Sequence, residues 1–217
     1  MNTKIPNYIV FCDFDGTITN FETAEGLWEY YLGDDFKRIA ADMVQRGVNL
    51  SEAVKYLFGQ IPSSRYNEMT AFLETMEMRD GFVEFLDYLD SQHIPIVIIS
   101  GGIGEMIQHL LKPYLSRFAG CHFCNLSTDQ EFLTISSPYD DGVDLIRKEL
   151  VMKEYPHETS IFFGDSYTDR NPAQVSDIVF ARDRLDAFLT DLGKDHFTFE
   201  TFFDAIQVFK EKGFTNL

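Results

Sequence analysis

Cysteine is scarce in this 217-residue chain, and basic residues are few beside acidic ones. Its three cysteines, Cys12, Cys121 and Cys124, are an odd number and too few for a disulfide framework. Cys121-His122-Phe123-Cys124 has the spacing of half a zinc or redox site. No second C-x-x-C or H-x-x-x-H accompanies it, and a structural zinc takes four ligands. A half-buried strand carrying small apolar thiols is the plainer reading. Lysine and arginine number 18 against 35 aspartates and glutamates, a formal charge of −17. That balance argues against nucleic acid or an anionic membrane surface as the main partner. No apolar run approaches the roughly 20 residues of a membrane span. Met1-Asn2-Thr3-Lys4-Ile5-Pro6 lacks the apolar stretch of a signal peptide, so a cytoplasmic location is expected.

Apolar and aromatic mass is what the chain does have. Hydrophobic residues make up 45%, with 21 Phe and 10 Tyr, enough to fill the core of one α/β domain with a small insertion. Tyr8-Ile9-Val10-Phe11-Cys12 has the length and β-branching of a buried parallel strand. Asp13-Phe14-Asp15-Gly16-Thr17 follows it directly, so two carboxylates reach the sheet edge where ligands bind in open α/β folds. From Thr17 to about residue 79 the pattern turns helical: Leu27, Trp28, Tyr31 and Leu32, then Ile39, Ala40, Met43 and Val44, recur at amphipathic spacing. Gly33-Asp34-Asp35 breaks that stretch, and Asn49 with Glu52 three residues on reads as a helix start.

Arg79-Asp80-Gly81 marks the return to strand–helix alternation. Strands are expected at Ile94–Ile99, around Cys121–Cys124 and Phe132–Ile135, and at Ser160–Phe163, with Ile178–Ala181 as the last parallel strand. Helices are expected at Ile103–Leu111, from Val143 to Glu154, near Pro172–Val175 and at the C-terminus. Such alternation implies a parallel, Rossmann-like sheet with helices on both faces. Two strands end in further polar groups: Ser100-Gly101-Gly102 and Gly164-Asp165-Ser166-Tyr167-Thr168-Asp169, with the basic pair Arg147-Lys148 between them.

These four segments, in this order, resemble the haloacid dehalogenase superfamily of phosphatases. The resemblance implies a core of residues 1–19 and 80–217 and a helical C1 cap of residues 20–79, inserted after the first strand. It also implies Mg²⁺ and a small phosphorylated metabolite as ligands; it specifies no oligomeric state. Hydrolysis of an anionic phosphomonoester needs positioning, positive charge and an aligned nucleophile. Asp13 is the expected nucleophile, forming an aspartyl-phosphate. Asp15 projects to the same side and is the expected general acid and base. Asp165 with Asp13 and the main-chain carbonyl of Asp15 would make the hard-oxygen set that Mg²⁺ takes, and Asp169 would support it. Ser100 with Gly101 and Gly102, whose lack of Cβ admits close backbone approach, would meet the phosphate. The superfamily's third motif needs one cation. Lys148 suits it better, with Val151 and Met152 behind it, and Arg147 is the rival.

Leu50-Ser51-Glu52-Ala53-Val54, Phe58, Pro62-Ser63-Ser64 and the stretch from Ser176 to Asp183 extend the likeness to the methionine-salvage phosphatase group. Ser136-Ser137-Pro138-Tyr139-Asp140-Asp141-Gly142 departs from it, lacking the cysteines of that group. Asn20-Phe21-Glu22-Thr23 resembles the phosphoserine phosphatases instead, whose glutamate meets a substrate ammonium; the arginine of their cap aligns with Val54 here. A non-catalytic phosphate-binding regulator on the same fold is an alternative of another class.

Overall fold

The computed structural model describes residues 5–73 and 76–217. Residues 1–4, the start of the segment that lacks a signal peptide's apolar stretch, and residues 74–75 of the expected insertion lie outside that description. In chain order the elements are β1 (Tyr8–Cys12), α1 (Thr23–Leu32), α2 (Asp34–Gln45), α3 (Leu50–Phe58), α4 (Tyr66–Leu73), α5 (Phe82–Ser91), β2 (Ile96–Ile103) and α6 (Gly104–Leu111). Then follow β3 (Gly120–Ser127), β4 (Thr134–Ser136), α7 (Lys148–Met152), β5 (Thr159–Gly164), α8 (Arg170–Val175), β6 (Ile178–Ala181), α9 (Asp183–Leu192), β7 (Phe197–Thr198) and α10 (Phe202–Lys212).

The strands form one seven-stranded sheet in the order β4-β3-β2-β1-β5-β6-β7. Every neighbouring pair is parallel except β3 with β4. The apolar run of β1 is buried on both faces, as a central parallel strand must be. Val10 and Cys12 join Ile98, Ile161, Phe163 and Phe180 on one face, while Ile9 and Phe11 join Val97, Ile99 and Phe162 on the other. The first face is packed by phenylalanine: the Phe163 and Phe180 rings stack with centroids 4.4 Å apart, and Phe85 lies 5.3 Å from Phe202 and 5.2 Å from Phe209. Helices α5 and α10 supply those last three rings and close that side.

Helices α1 to α4 leave and rejoin the sheet layer through paired linkers, Thr19 bridging Met78 in antiparallel fashion. Gly33, at φ +54°, ends α1 and begins α2, and the Asn49 side chain accepts the Glu52 N–H at 2.9 Å to start α3. Both breaks stand where the sequence puts them. Three other expectations need correction. The strand expected to stop at Ile99 runs on to Ile103, and its register with β3 shifts between those residues, so Ser100 stands where the regular ladder is interrupted. The helix expected from Val143 begins only at Lys148, because Asp141 Oδ1 accepts the N–H groups of Val143 and Asp144, each at 2.9 Å, and holds them in a turn. β7 adds a parallel strand outside Ile178–Ala181, too short at two residues to leave a periodic signature. Among the described residues no helix is long and apolar enough to cross a membrane.

Candidate active site

The Asp13 N–H donates to the Phe163 carbonyl at 3.0 Å, extending the β1–β5 ladder by one residue. This sets Asp13 beside Asp165, which follows the end of β5. Between them runs the loop Phe14–Thr17, and Gly16 (φ +75°) crosses so close to Asp165 that a Cβ there would overlap its carboxylate. Thr17 Oγ1 then donates to Asp165 Oδ1 at 2.9 Å. From the next strand Ser100 Oγ donates to Asp15 Oδ2 at 3.2 Å and accepts the Gly102 N–H at 3.0 Å. Gly102 also lacks room for a side chain, since a Cβ would fall on the Asp15 carboxylate.

Lys148 opens α7 and reaches the same edge at 1% exposure. Its ammonium donates to Asp13 Oδ1 and, at 2.7 Å, to Asp169 Oδ1. Asp169 Oδ2 accepts the backbone N–H groups of Asp165 and Ser166, both at 3.0 Å. Burial alone would lower the lysine's pKa, but Asp13 and Asp169 outweigh it and hold the ammonium charged, well above its ordinary value. Burial works the other way on the acids. It pushes Asp13 up to about 7 against the pull of Lys148. It raises Asp165 to about 9, with the charges of Asp13, Asp169 and Glu22 adding to it. Glu22 is exposed to solvent, yet the protein around its carboxyl, then Asp15 and Asp13, raise it to about 8.

The cluster is therefore over-supplied with negative charge, and its free valence suits a hard cation. Asp13, Asp165 and Asp169 each present an oxygen within 4.8 Å of the others. Both oxygens of Asp169 are already engaged by Lys148 and the two amides. Lys148 and Thr17 occupy only Oδ1 of Asp13 and of Asp165. The second oxygens of Asp13 and Asp165 are what remains for a divalent ion, and an all-oxygen donor set fits Mg²⁺.

Asp13, Asp15, Ser100, Gly102, Lys148, Asp165 and Asp169 thus come together, with Glu22 within reach of their charge. Gly101 is half-buried beside them, and a Cβ there would meet only Ile146 Cγ2 at 3.7 Å. Arg147 does not join them: its guanidinium pairs with Asp141 and Glu149. Cys121 and Cys124 are free thiols that burial raises to about 11 and about 12. Two supporting residues escaped the sequence reading. Thr17 holds Asp165 as described. Arg79, 8% exposed, donates to the carbonyls of Gly16 (2.6 Å), Thr17 (2.8 Å) and Thr19 (3.0 Å), fixing the loop behind the two aspartates. Its position at the end of the helical stretch was the one available signal.

The chain belongs to the haloacid dehalogenase-like hydrolase family, which matches residues 10–174. A 2-hydroxy-3-keto-5-methylthiopentenyl-1-phosphate phosphatase of Microcystis aeruginosa is 38% identical over 198 residues, 90% of this chain and 94% of its own. A protein of the same name from Bacillus velezensis is 30% identical over 212 residues, 94% of this chain and 89% of its own. Among solved structures, phosphoserine phosphatase of T. onnurineus superposes with a TM-score of 0.70 at 15% identity, covering 97% of this chain and 98% of that one. A phosphoserine phosphatase captured as a phospho-aspartyl intermediate analogue gives 0.68 at 16% identity, covering 96% and 99%. At such identities the structural likeness speaks for the fold.

Proposed function

We propose that the protein is a Mg²⁺-dependent phosphomonoester hydrolase working through a phosphorylated Asp13, with 2-hydroxy-3-keto-5-methylthiopentenyl-1-phosphate as its substrate. The observation that carries the chemistry is the buried Lys148 bridging Asp13 and Asp169 while a second oxygen of Asp13 stays open beside Asp165. The substrate follows from relatives that share 30–38% identity over at least nine-tenths of this chain.

In the first half-reaction a carboxylate oxygen of Asp13 attacks phosphorus, and the bond from phosphorus to the substrate oxygen breaks. Asp15, steadied by Ser100, gives its proton to the departing oxygen. In the second half-reaction Asp15 takes a proton from a water that attacks the aspartyl-phosphate; inorganic phosphate leaves and the Asp13 carboxylate is restored. Lys148 opposes burial to favour the ionised form of Asp13 and faces the phosphoryl oxygens with positive charge. Asp169 holds Lys148 and the Asp165 backbone in place and touches neither reacting atom. Asp13, Asp165 and the Asp15 main-chain carbonyl would hold Mg²⁺, which when bound neutralises charge on the phosphoryl group. Residues 20–79 act as a helical cap that closes over this edge and excludes water.

Phosphoserine is the second reading, and Glu22 favours it, because a carboxylate beside Asp15 could meet an ammonium. A substrate carboxylate would need a cation in exchange. Val54, at the position of the phosphoserine enzymes' arginine, is half-buried against the apolar core. The arginines of the insertion are spent on neighbours: Arg38 on Asp35, Arg46 on Asp42, Arg65 on Glu68 and Arg79 on the carbonyls of Gly16, Thr17 and Thr19. Phosphate release with Mg²⁺, measured as kcat/KM for the enol phosphate and for phosphoserine, tests both readings. The enol phosphate is expected to lead by at least tenfold, about 1.4 kcal/mol of transition-state preference, and a lead for phosphoserine overturns the assignment. Asp13→Asn, or removal of the metal by chelation, should abolish release in the same assay, with the far-UV circular dichroism of the variant unchanged.

A further inference from the structure

The segment Ser136–Gly142, where the sequence departs from the methionine-salvage group, makes contacts that the mechanism does not use. Asp140 Oδ1 accepts the hydroxyl of Ser51 at 2.9 Å and the N–H of Gly142 at 2.8 Å, and Oδ2 takes the ammonium of Lys55. Ser51 and Lys55 lie one turn apart on α3, in the helical insertion, and Ser51 is 1% exposed. The Ser51 N–H, an unsatisfied donor of the first helical turn, is met by the carbonyl of Val143 at 2.9 Å. One short loop therefore closes against the start of α3 with two side-chain bonds and one backbone bond. A carboxylate with three partners in this half-buried position is held in its charged form, below its usual range: burial opposes this, but Lys55, the Gly142 amide and Ser51 prevail.

The other end of the loop is the start of α7. Arg147 donates its N–H to the Tyr139 carbonyl at 3.1 Å, and its guanidinium joins Asp141 to Glu149. Lys148 follows immediately, with its ammonium on Asp13. A continuous run of direct bonds thus leads from the insertion, through Asp140 and the Asp141–Arg147 pair, to the cation of the active site. Helix α7 is only five residues long and cannot fix its own first residue strongly, so the loop before it sets where Lys148 stands.

We propose that Asp140 is a positioning residue that fastens the closed insertion to the loop ahead of α7 and thereby holds Lys148 against Asp13. The inference rests on the phosphatase reading and its closing cap. It gives the divergent segment a role, because substrate capture by the insertion and placement of the catalytic cation become one event. Two states are implied, closed with these bonds made and open with them broken, and Asp140 biases the pair toward closure.

The test uses the full-length chain with Mg²⁺. Hydrogen exchange of the Ser51 amide reads the docking directly and needs no substrate. Asp140→Ala should speed that exchange and lower kcat/KM for the enol phosphate about tenfold, chiefly in kcat. Asp140→Asn keeps an acceptor for Ser51 and Gly142 and should fold normally, losing only as much activity as Lys55→Ala. Asp140→Ala/Lys55→Ala should be no worse than Asp140→Ala alone, as two groups in direct contact require, and the loss of kcat should persist where urea unfolding shows both variants fully folded. Unchanged Ser51 exchange in Asp140→Ala, or additive losses in the double variant, overturns the proposal. Should the wild-type chain release no phosphate, the functional reading falls. The exchange measurement then still decides whether Asp140 ties the insertion down, and unchanged exchange overturns the tie as well.

Discussion

The strand-end cluster and the helical insertion use charge in opposite ways. Around the strand ends five acidic or basic groups, Asp13, Asp15, Lys148, Asp165 and Asp169, are each at most 8% exposed and bonded to one another, to backbone or to the hydroxyls of Ser100 and Thr17. In the insertion Arg38, Arg46 and their partners Asp35 and Asp42 lie on the surface, with side chains 59% to 73% exposed, while Trp28, Phe36 and Phe58 form the aromatic interior. A buried ion pair gains little net stability, since desolvation consumes most of its Coulomb attraction. Stability alone therefore does not account for such a cluster. An exposed pair contributes little either, for the different reason that water and salt screen it. The overall charge of −17 thus hides two populations: a few acids buried together at the candidate site and others that lie solvated on the surface.

The largest expected effect separates two adjacent residues. Lys148→Ala would leave Asp13 and Asp169 buried together without their shared cation. Removing one partner of a buried pair typically costs about 3–5 kcal/mol, and turnover should vanish with it. Arg147→Ala removes a guanidinium that is 31% exposed, paired with the 31% exposed Asp141 and with Glu149, whose side chain is 8% exposed, so its direct cost should fall below that of Lys148→Ala, at about 1–2 kcal/mol. Urea unfolding and phosphate release on both variants decide this. A silent Lys148→Ala beside a crippled Arg147→Ala would invert the assignment and break the contrast between buried and exposed charge.

A smaller effect probes the insertion alone. Asn49 accepts the Glu52 N–H to start α3, and Asn49→Ala should cost about 1 kcal/mol, seen as a lower urea midpoint at unchanged slope. The Val143 carbonyl still meets the Ser51 N–H, so kcat/KM should fall no more than about threefold, within the 1 kcal/mol at issue. A loss of a hundredfold would show that the two regions are one energetic unit.

Much of the site was legible in the sequence because its parts follow apolar strands. The burial of β1 and β5 on both faces makes them continuous hydrophobic runs, and Asp13 and Asp165 stand directly after those runs. Lys148 was separable from Arg147 by phase, since Val151 and Met152 pack inward three and four residues on. Contacts that join distant segments through polar side chains were not legible. Thr17 to Asp165, Arg79 to the Gly16 and Thr17 carbonyls, and Ser51 to Asp140 span 148, 62 to 63, and 89 residues. None of them leaves a periodic trace. The start of α7 was misplaced because the Asp141 turn is made by a side chain competing with the helix for the same N–H groups.

The smallest expected effect lies on the insertion surface. Arg46 and Asp42 form an i,i+4 pair at 3.2 Å with side chains 65% and 59% exposed. The acid precedes the base, the more favourable order along a helix, and Arg46 at the C-terminal end of α2 offsets the helix dipole there. Even so, exposed pairs of this kind contribute about 0.3–0.5 kcal/mol, because both long side chains must be ordered and solvent screens their attraction. Arg46→Ala should therefore shift the unfolding free energy by less than about 0.5 kcal/mol at low salt, and by less still at 1 M salt, where the screening length falls to about 3 Å. Its kcat/KM for the enol phosphate should match the wild type within a factor of two, about 0.4 kcal/mol. Arg46 is also one of the few guanidinium groups the insertion could offer a substrate carboxylate. A tenfold loss confined to phosphoserine, with stability unmoved, would mean that this arginine leaves Asp42 to bind substrate. The exposed charges of the insertion would then belong with the chemistry after all.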